Sequence, residues 1–336
     1  MNPQYFRNDR VASLTSLAIG WVSRHLDRFS PFDEHDTYCP PRTKPFIELA
    51  IMLGVHAAAT GDATSSFVRT AAQLLQSVSR RPDFTHWMVR LPAEFVNYAE
   101  LCAAINELGG DARELRQQLQ QAVDMGVLAQ IERLPHREVE LRAALDWAGI
   151  KHSLPPVEDL CVETILGQSL SAPLLSDYAI YAITHVIIFA CRFGLLRDAL
   201  PGWLRSAAIR TLLSDLIVVT SQERNWDLLG ELLLCWESIG FPQNRLSVAG
   251  WESFLEVFRG DGAVPPSGAG DEQELSLHTE GLNTAESSDF DRVYHTTLVA
   301  VLAGTVFLER SRSGASSVAN AITNRRISRV SEVQLV

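Results

Sequence analysis

The chain of 336 residues is poor in the features that mark most familiar classes. Of its 29 basic residues only Lys44 and Lys151 are lysines, a bias that carries no mechanism. Basic residues are outnumbered by 40 acidic ones, giving a net charge of −11, which argues against a polyanion read through a general basic surface. The five cysteines, Cys39, Cys102, Cys161, Cys191 and Cys235, are odd in number and widely spaced. They fit neither a disulfide framework nor a CxxC zinc site, and point to a reducing cytoplasm. The longest apolar run, Tyr178 to Cys191, is short of a membrane span and contains His185. The first residues lack the basic-then-apolar order of a signal peptide.

Motifs are missing too. The sequence has no GxxxxGK[ST], GxGxxG, HExxH, GxSxG or CxxCH, so phosphate loops, dinucleotide folds, zincins, α/β-hydrolases and c-type haem attachment lose their local signatures. Alternating Val/Ile/Thr stretches bounded by turns, the mark of strands, are nearly absent.

What is present is helical periodicity. Apolar residues recur at i, i+3 and i+4 spacing, predicting about twelve helices near 9–29, 44–60, 64–80, 95–109, 111–125, 136–149, 158–168, 174–196, 203–220, 224–239, 247–258 and 289–310. Ordinary breakers separate them, among them Gly109-Gly110, Pro155-Pro156 and Pro201-Gly202. Short connections predict antiparallel helical hairpins, in a solenoid or a closed ring. Residues 1–310 read as one all-α domain. Within it, 260–288 reads as a flexible acidic loop, because seven carboxylates and no Lys or Arg fall between Gly260 and Phe290. Such a segment serves as a lid or is a disordered insertion. Residues 311–336, with four arginines against Glu332, read as a basic disordered tail.

Two helices place polar groups in apolar surroundings. On 174–196, Asp177, Tyr181, Thr184 and His185 fall along one face, where a histidine can serve as general acid or base. The plainer reading is a satisfied core histidine and an Asp177 favoured by the helix dipole. On 289–310, Asp291 and His295 are four apart, so the carboxylate can orient the imidazole, with Tyr294 and Thr297 beside them. The plainer reading there is a helix start capped by Asp289. Cys191, Cys235, His185 and His295 are ligand types, but no two stand at ligand spacing. The expectation is no metal and no cofactor.

Tyr181-Ala-Ile-Thr184-His185, followed by Phe189 and Phe193-Gly194, together with Asp291-x-x-Tyr294-His295-Thr296-Thr297, resembles an uncharacterised all-helical actinobacterial family whose members sit in natural-product gene clusters. Its usual form has an acidic residue before Phe-Gly, where this chain has Arg192. The resemblance implies an α/α toroid or partial barrel, similar in outline to lanthipeptide cyclases and terpene-cyclase-like barrels. The zinc signature of lanthionine cyclases is missing. The activity so implied is that of a metal-independent cyclase or lyase, working by histidine acid–base chemistry on a peptide or small-molecule intermediate, for instance in thioether formation. His185 with Asp177 and Tyr181, and His295 with Asp291 and Tyr294, would carry the protons. The implied partners are that intermediate and other proteins of the cluster, with neither nucleic acid nor membrane. Sparse charge on the two helices also allows a homodimer. The rival is a non-catalytic helical scaffold holding a precursor peptide or partner enzyme. A regulator is disfavoured by the acidic balance and the lack of a basic recognition helix.

Overall fold

The computed structural model describes residues 8–267 and 285–333, with side chains from 289 to 313 in the last helix. Among the described residues the chain is all helix and turn, with two isolated bridges and no strands. The long helices are α1 (Asn8–Arg24), α2 (Thr43–Thr60), α3 (Ser66–Ser79), α6 (Phe95–Glu107), α7 (Arg113–Asp124) and α8 (Pro135–Ala148). They continue with α9 (Val157–Glu163), α10 (Asp177–Ala190), α11 (Ala207–Gln222), α12 (Trp226–Ile239), α13 (Arg245–Glu256) and α14 (Ala285–Val333). Two single turns, α4 (Pro82–Thr85) and α5 (Trp87–Arg90), complete the set. Helices stand at all twelve places expected from periodicity; most boundaries shift by a few residues, and the last helix runs on from 310 to Val333.

Two kinds of helix alternate. In α7, full burial is confined to Leu115, Leu119 and Ala122, a single stripe, and the rest apart from Val123 is polar. In α12, every residue from Asp227 to Ile239 is buried. A helix apolar on one face lies at the outside, and one apolar all round has neighbours on all sides. Packing follows that division. Helix α2 packs on α6, α6 on α8, α8 on α10, α10 on α12, α12 on α14, and α14 returns to α2. The remaining long helices lie against this cycle: α1 on α14, α3 and α7 on α6, α9 on α8, α11 and α13 on α12. Close approach is built in by small residues. A Cβ at Gly54 of α2 would stand 3.1 Å from Ala104 Cα of α6, so glycine allows an approach that any side chain would have to widen.

The expected acidic loop and tail are described in part. Residues 268–284 of the expected acidic loop lie outside the described residues, but its first part is a packed strap. Ala263 and Val264 are fully buried. The Val264 N–H donates to Thr297 Oγ1 at 3.0 Å, and the Pro266 carbonyl accepts from the N–H groups of Trp226 and Asp227. The reason is the apolar Ala263-Val264-Pro265 stretch inside an otherwise acidic run. The backbone of α14 continues past residue 311 to Val333. No proline interrupts 285–333, so nothing stops the helix at Arg310.

Candidate functional site

The cycle of six helices surrounds a cavity of about 790 Å³, within the range of small-molecule sites. Its lining comes from all six: Lys44 and Glu48 (α2), Glu100 (α6), Arg137 and Glu140 (α8), Tyr181 and His185 (α10), Asp227 and Glu231 (α12), and His295 (α14). Apolar side chains, among them Ile51, Phe189, Phe193, Leu234 and Leu302, fill the rest of the wall. Exposed residues such as Glu94, Glu132, Leu134 and Tyr178 form its mouth. Glu48, Glu100, Glu140 and Glu231 are each the sixth residue of their helices, counted from Thr43, Phe95, Pro135 and Trp226. Four glutamates therefore stand at corresponding places, in the second turn of their helices.

The sequence-derived residues divide. His185 and His295, from helices far apart in the chain, line this one cavity, and Tyr181 does too. Asp177 does not: it is exposed, and Asn225 Nδ2 donates to its carboxylate at 3.1 Å. Asp291 is exposed and outside the cavity. Tyr294 is buried instead in an aromatic cluster, stacked on Phe290 and edge-on to Phe29. The partner expected for His295 within its own helix is replaced by partners from others. Its Nδ1 meets Glu48 Oε2 at 2.8 Å, and its Nε2 faces Asp227 Oδ2 at 3.6 Å and Glu231 Oε1 at 3.5 Å.

Those carboxylates are held from behind. Tyr181 Oη donates to Asp227 Oδ2 at 2.5 Å and Thr296 Oγ1 to Asp227 Oδ1 at 2.7 Å. Thr184 Oγ1 donates to Glu231 Oε2 at 2.5 Å. Lys44 Nζ lies 3.1 Å from Glu48 Oε1. Burial opposes ionisation of Glu48, but His295 and Lys44 outweigh it and bring the carboxyl down to about 2.

A second group sits around His185. Its Nδ1 is 3.7 Å from Glu140 Oε1, too far for a hydrogen bond, and has no other partner among the described residues. Burial disfavours the imidazolium, yet the Glu140 carboxylate prevails and raises the histidine above its ordinary value. Glu140 itself is drawn down: burial pushes its carboxyl up, but His185 and Arg137, the latter at 2.7 Å, win. Glu100 goes the other way. It is 3% exposed, its Oε1 has no partner, and burial followed by repulsion from Glu140 lifts it well above the usual carboxylate range.

The residues that periodicity missed are Lys44, Glu48, Glu100, Arg137, Glu140, Asp227 and Glu231. For Glu48, Glu100 and Glu231 the signal is a lone charge inside a run of apolar residues, as Glu231 is between Leu228-Leu229 and Leu232-Leu233; Lys44, Arg137, Glu140 and Asp227 stand near other polar residues and give no such signal.

With this geometry in hand, comparison with known proteins gives one match: the family model described as a domain of unknown function, DUF6895, covers residues 15–305. The chain belongs to the DUF6895 family. The match spans every residue that lines the cavity, so the cavity lies within the DUF6895 unit. No curated protein and no solved structure matches the chain. In this DUF6895 chain, no described helix is long and apolar enough to cross a membrane.

Proposed function

We propose that the chain is an enzyme of the cyclase or lyase class, performing general acid–base chemistry on a small molecule or peptide segment held inside an α/α toroid. The observation that carries this reading is a pair of neighbouring carboxyls in one cavity pushed in opposite directions, Glu100 up and Glu140 down, with His185 beside Glu140. Divergent carboxyls at one site are how a fold keeps an acid and a base available at the same pH. In a lyase or cyclisation step, one group removes a proton beside a carbonyl while another protonates the departing or newly formed anion. Glu140 with His185 suits the first task and protonated Glu100 the second. The toroid reading is supported by the closed packing cycle and by lining residues drawn from all six of its helices. A role in tailoring specialised metabolites, beside other proteins of a gene cluster, extends the resemblance of the His185 and His295 motifs. A non-catalytic scaffold is served less well, having no use for a partnerless imidazole nitrogen and a partnerless carboxyl oxygen in a cavity.

The test is co-expression with the genes adjoining its own, comparing wild type with His185→Gln and Glu140→Gln by mass spectrometry of the products and by thermal melting. Product lost in both variants with the melts unchanged supports acid–base catalysis. Product that persists in both variants, or a wild type that adds no product, refutes it.

A further inference from the structure

Asp227, Glu231 and His295 each offer one ligand atom, and these atoms lie within 4.8 Å of one another. The two distances from His295 Nε2, 3.5 Å to Glu231 Oε1 and 3.6 Å to Asp227 Oδ2, are long for hydrogen bonds. They suit another arrangement. Around a tetrahedral ion with bonds of roughly 2.0–2.2 Å, neighbouring ligand atoms stand about 3.3–3.6 Å apart.

The surroundings match as well. A histidine ligand ordinarily gives its other ring nitrogen to a carboxylate, which fixes the tautomer and aims the free nitrogen at the ion. Here Glu48 takes Nδ1 at 2.8 Å. Ligating carboxylates are themselves held by hydrogen bonds, and here the hydroxyls of Tyr181, Thr296 and Thr184 hold Asp227 and Glu231. Thr184 occupies Glu231 Oε2, leaving Oε1 as the oxygen turned to His295. Charge favours a cation: besides the protonated Glu100, six carboxylates line the cavity (Glu48, Glu94, Glu132, Glu140, Asp227, Glu231) against Lys44, Arg133, Arg137 and a raised His185. Glu100, buried with a partnerless Oε1, lines the same space.

We infer that Asp227, Glu231 and His295 form a binding site for one divalent first-row transition ion, with Glu48 as the positioning residue of the histidine. One imidazole and two carboxylates suit zinc, manganese or iron(II), and two carboxylates neutralise the dication. Three protein ligands leave a fourth position, which opens on the cavity, where the ion would polarise a substrate oxygen. This site is independent of the proton transfer assigned to Glu100, Glu140 and His185, and either can fail alone.

The full chain, freed of metal by chelator and dialysis, is titrated calorimetrically with Zn2+ and spectroscopically with Co2+. The expected result is one ion per chain, with the intense visible band of four-coordinate Co2+. His295→Gln and Asp227→Asn should abolish both signals, and Glu48→Gln should weaken Zn2+ affinity by about 10- to 100-fold while keeping the stoichiometry. Thermal melts of the metal-free proteins establish that the variants fold. A wild type that takes up no stoichiometric Zn2+ or Co2+ overturns the inference. So does wild-type affinity in a folded His295→Gln or Asp227→Asn chain, and should both fail to fold, unchanged affinity in Glu48→Gln does the same.

Discussion

Replacing Glu100 by Gln isolates the energetic cost of the buried carboxyl. In the folded protein, burial and then Glu140 hold this group well above its ordinary 4.5, so it keeps a proton that the unfolded chain has released. Folding therefore takes up a proton. Stability is complete below the unfolded value and declines as pH rises above it, until the folded group also ionises. The decline is about 1.4 kcal/mol per pH unit over that window. Glutamine keeps the shape without the charge, which removes this slope. In urea unfolding followed by circular dichroism from about pH 5 to about pH 8, Glu100→Gln should begin near wild type and gain on it as pH rises, until the folded carboxyl itself ionises. Other titrations are common to both chains and largely cancel in the difference. A difference that stays flat with pH would refute the assignment of a protonated carboxyl in the cavity wall.

Two further predictions concern packing and charge. Gly54→Ala places a methyl 3.1 Å from Ala104 Cα and 3.3 Å from its Cβ. It should cost about 1–3 kcal/mol in urea midpoints despite alanine's better helix propensity, through separation of α2 and α6. Arg310→Met removes the guanidinium that meets Glu237 Oε2 at 2.8 Å, where the carboxylate is 1% exposed. It should destabilise by about 3–5 kcal/mol at neutral pH. Burial already raises Glu237 against the pull of Arg310, so acidification protonates the stranded carboxylate and should shrink the deficit in thermal melts.

The helices were legible because each rests on local information: apolar spacing within the segment, and glycine or proline at its ends. His185 and His295 were legible for a related reason, as ionisable groups in helices otherwise apolar. Their partners were not. A spacing of i, i+4 reaches only along one helix and so selects Asp177 and Asp291, which the fold turns outward. The groups that meet the histidines, Glu48, Glu140, Asp227 and Glu231, arrive from three neighbouring helices. In a linear reading, a glutamate inside a helix is ordinarily a solvated residue. Only the recurrence of glutamate at the sixth place of α2, α6, α8 and α12, visible once the helix starts are known, marks these as a set.

The burial of α12 on every side has a consequence for how such a protein can diversify. Asp227 and Glu231 ride on a shaft with no solvent-facing side, so any change of their spacing must be absorbed by α10, α11, α13 and α14 together. The mouth of the cavity is under no such restraint. Its segments around Glu94 and Leu134 are exposed, Leu134 by 53%, and lie outside the packed core. Relatives acting on different molecules would then share their inner charged groups and differ at this lip, so that preference for a substrate can drift through surface replacements that leave the chemistry untouched.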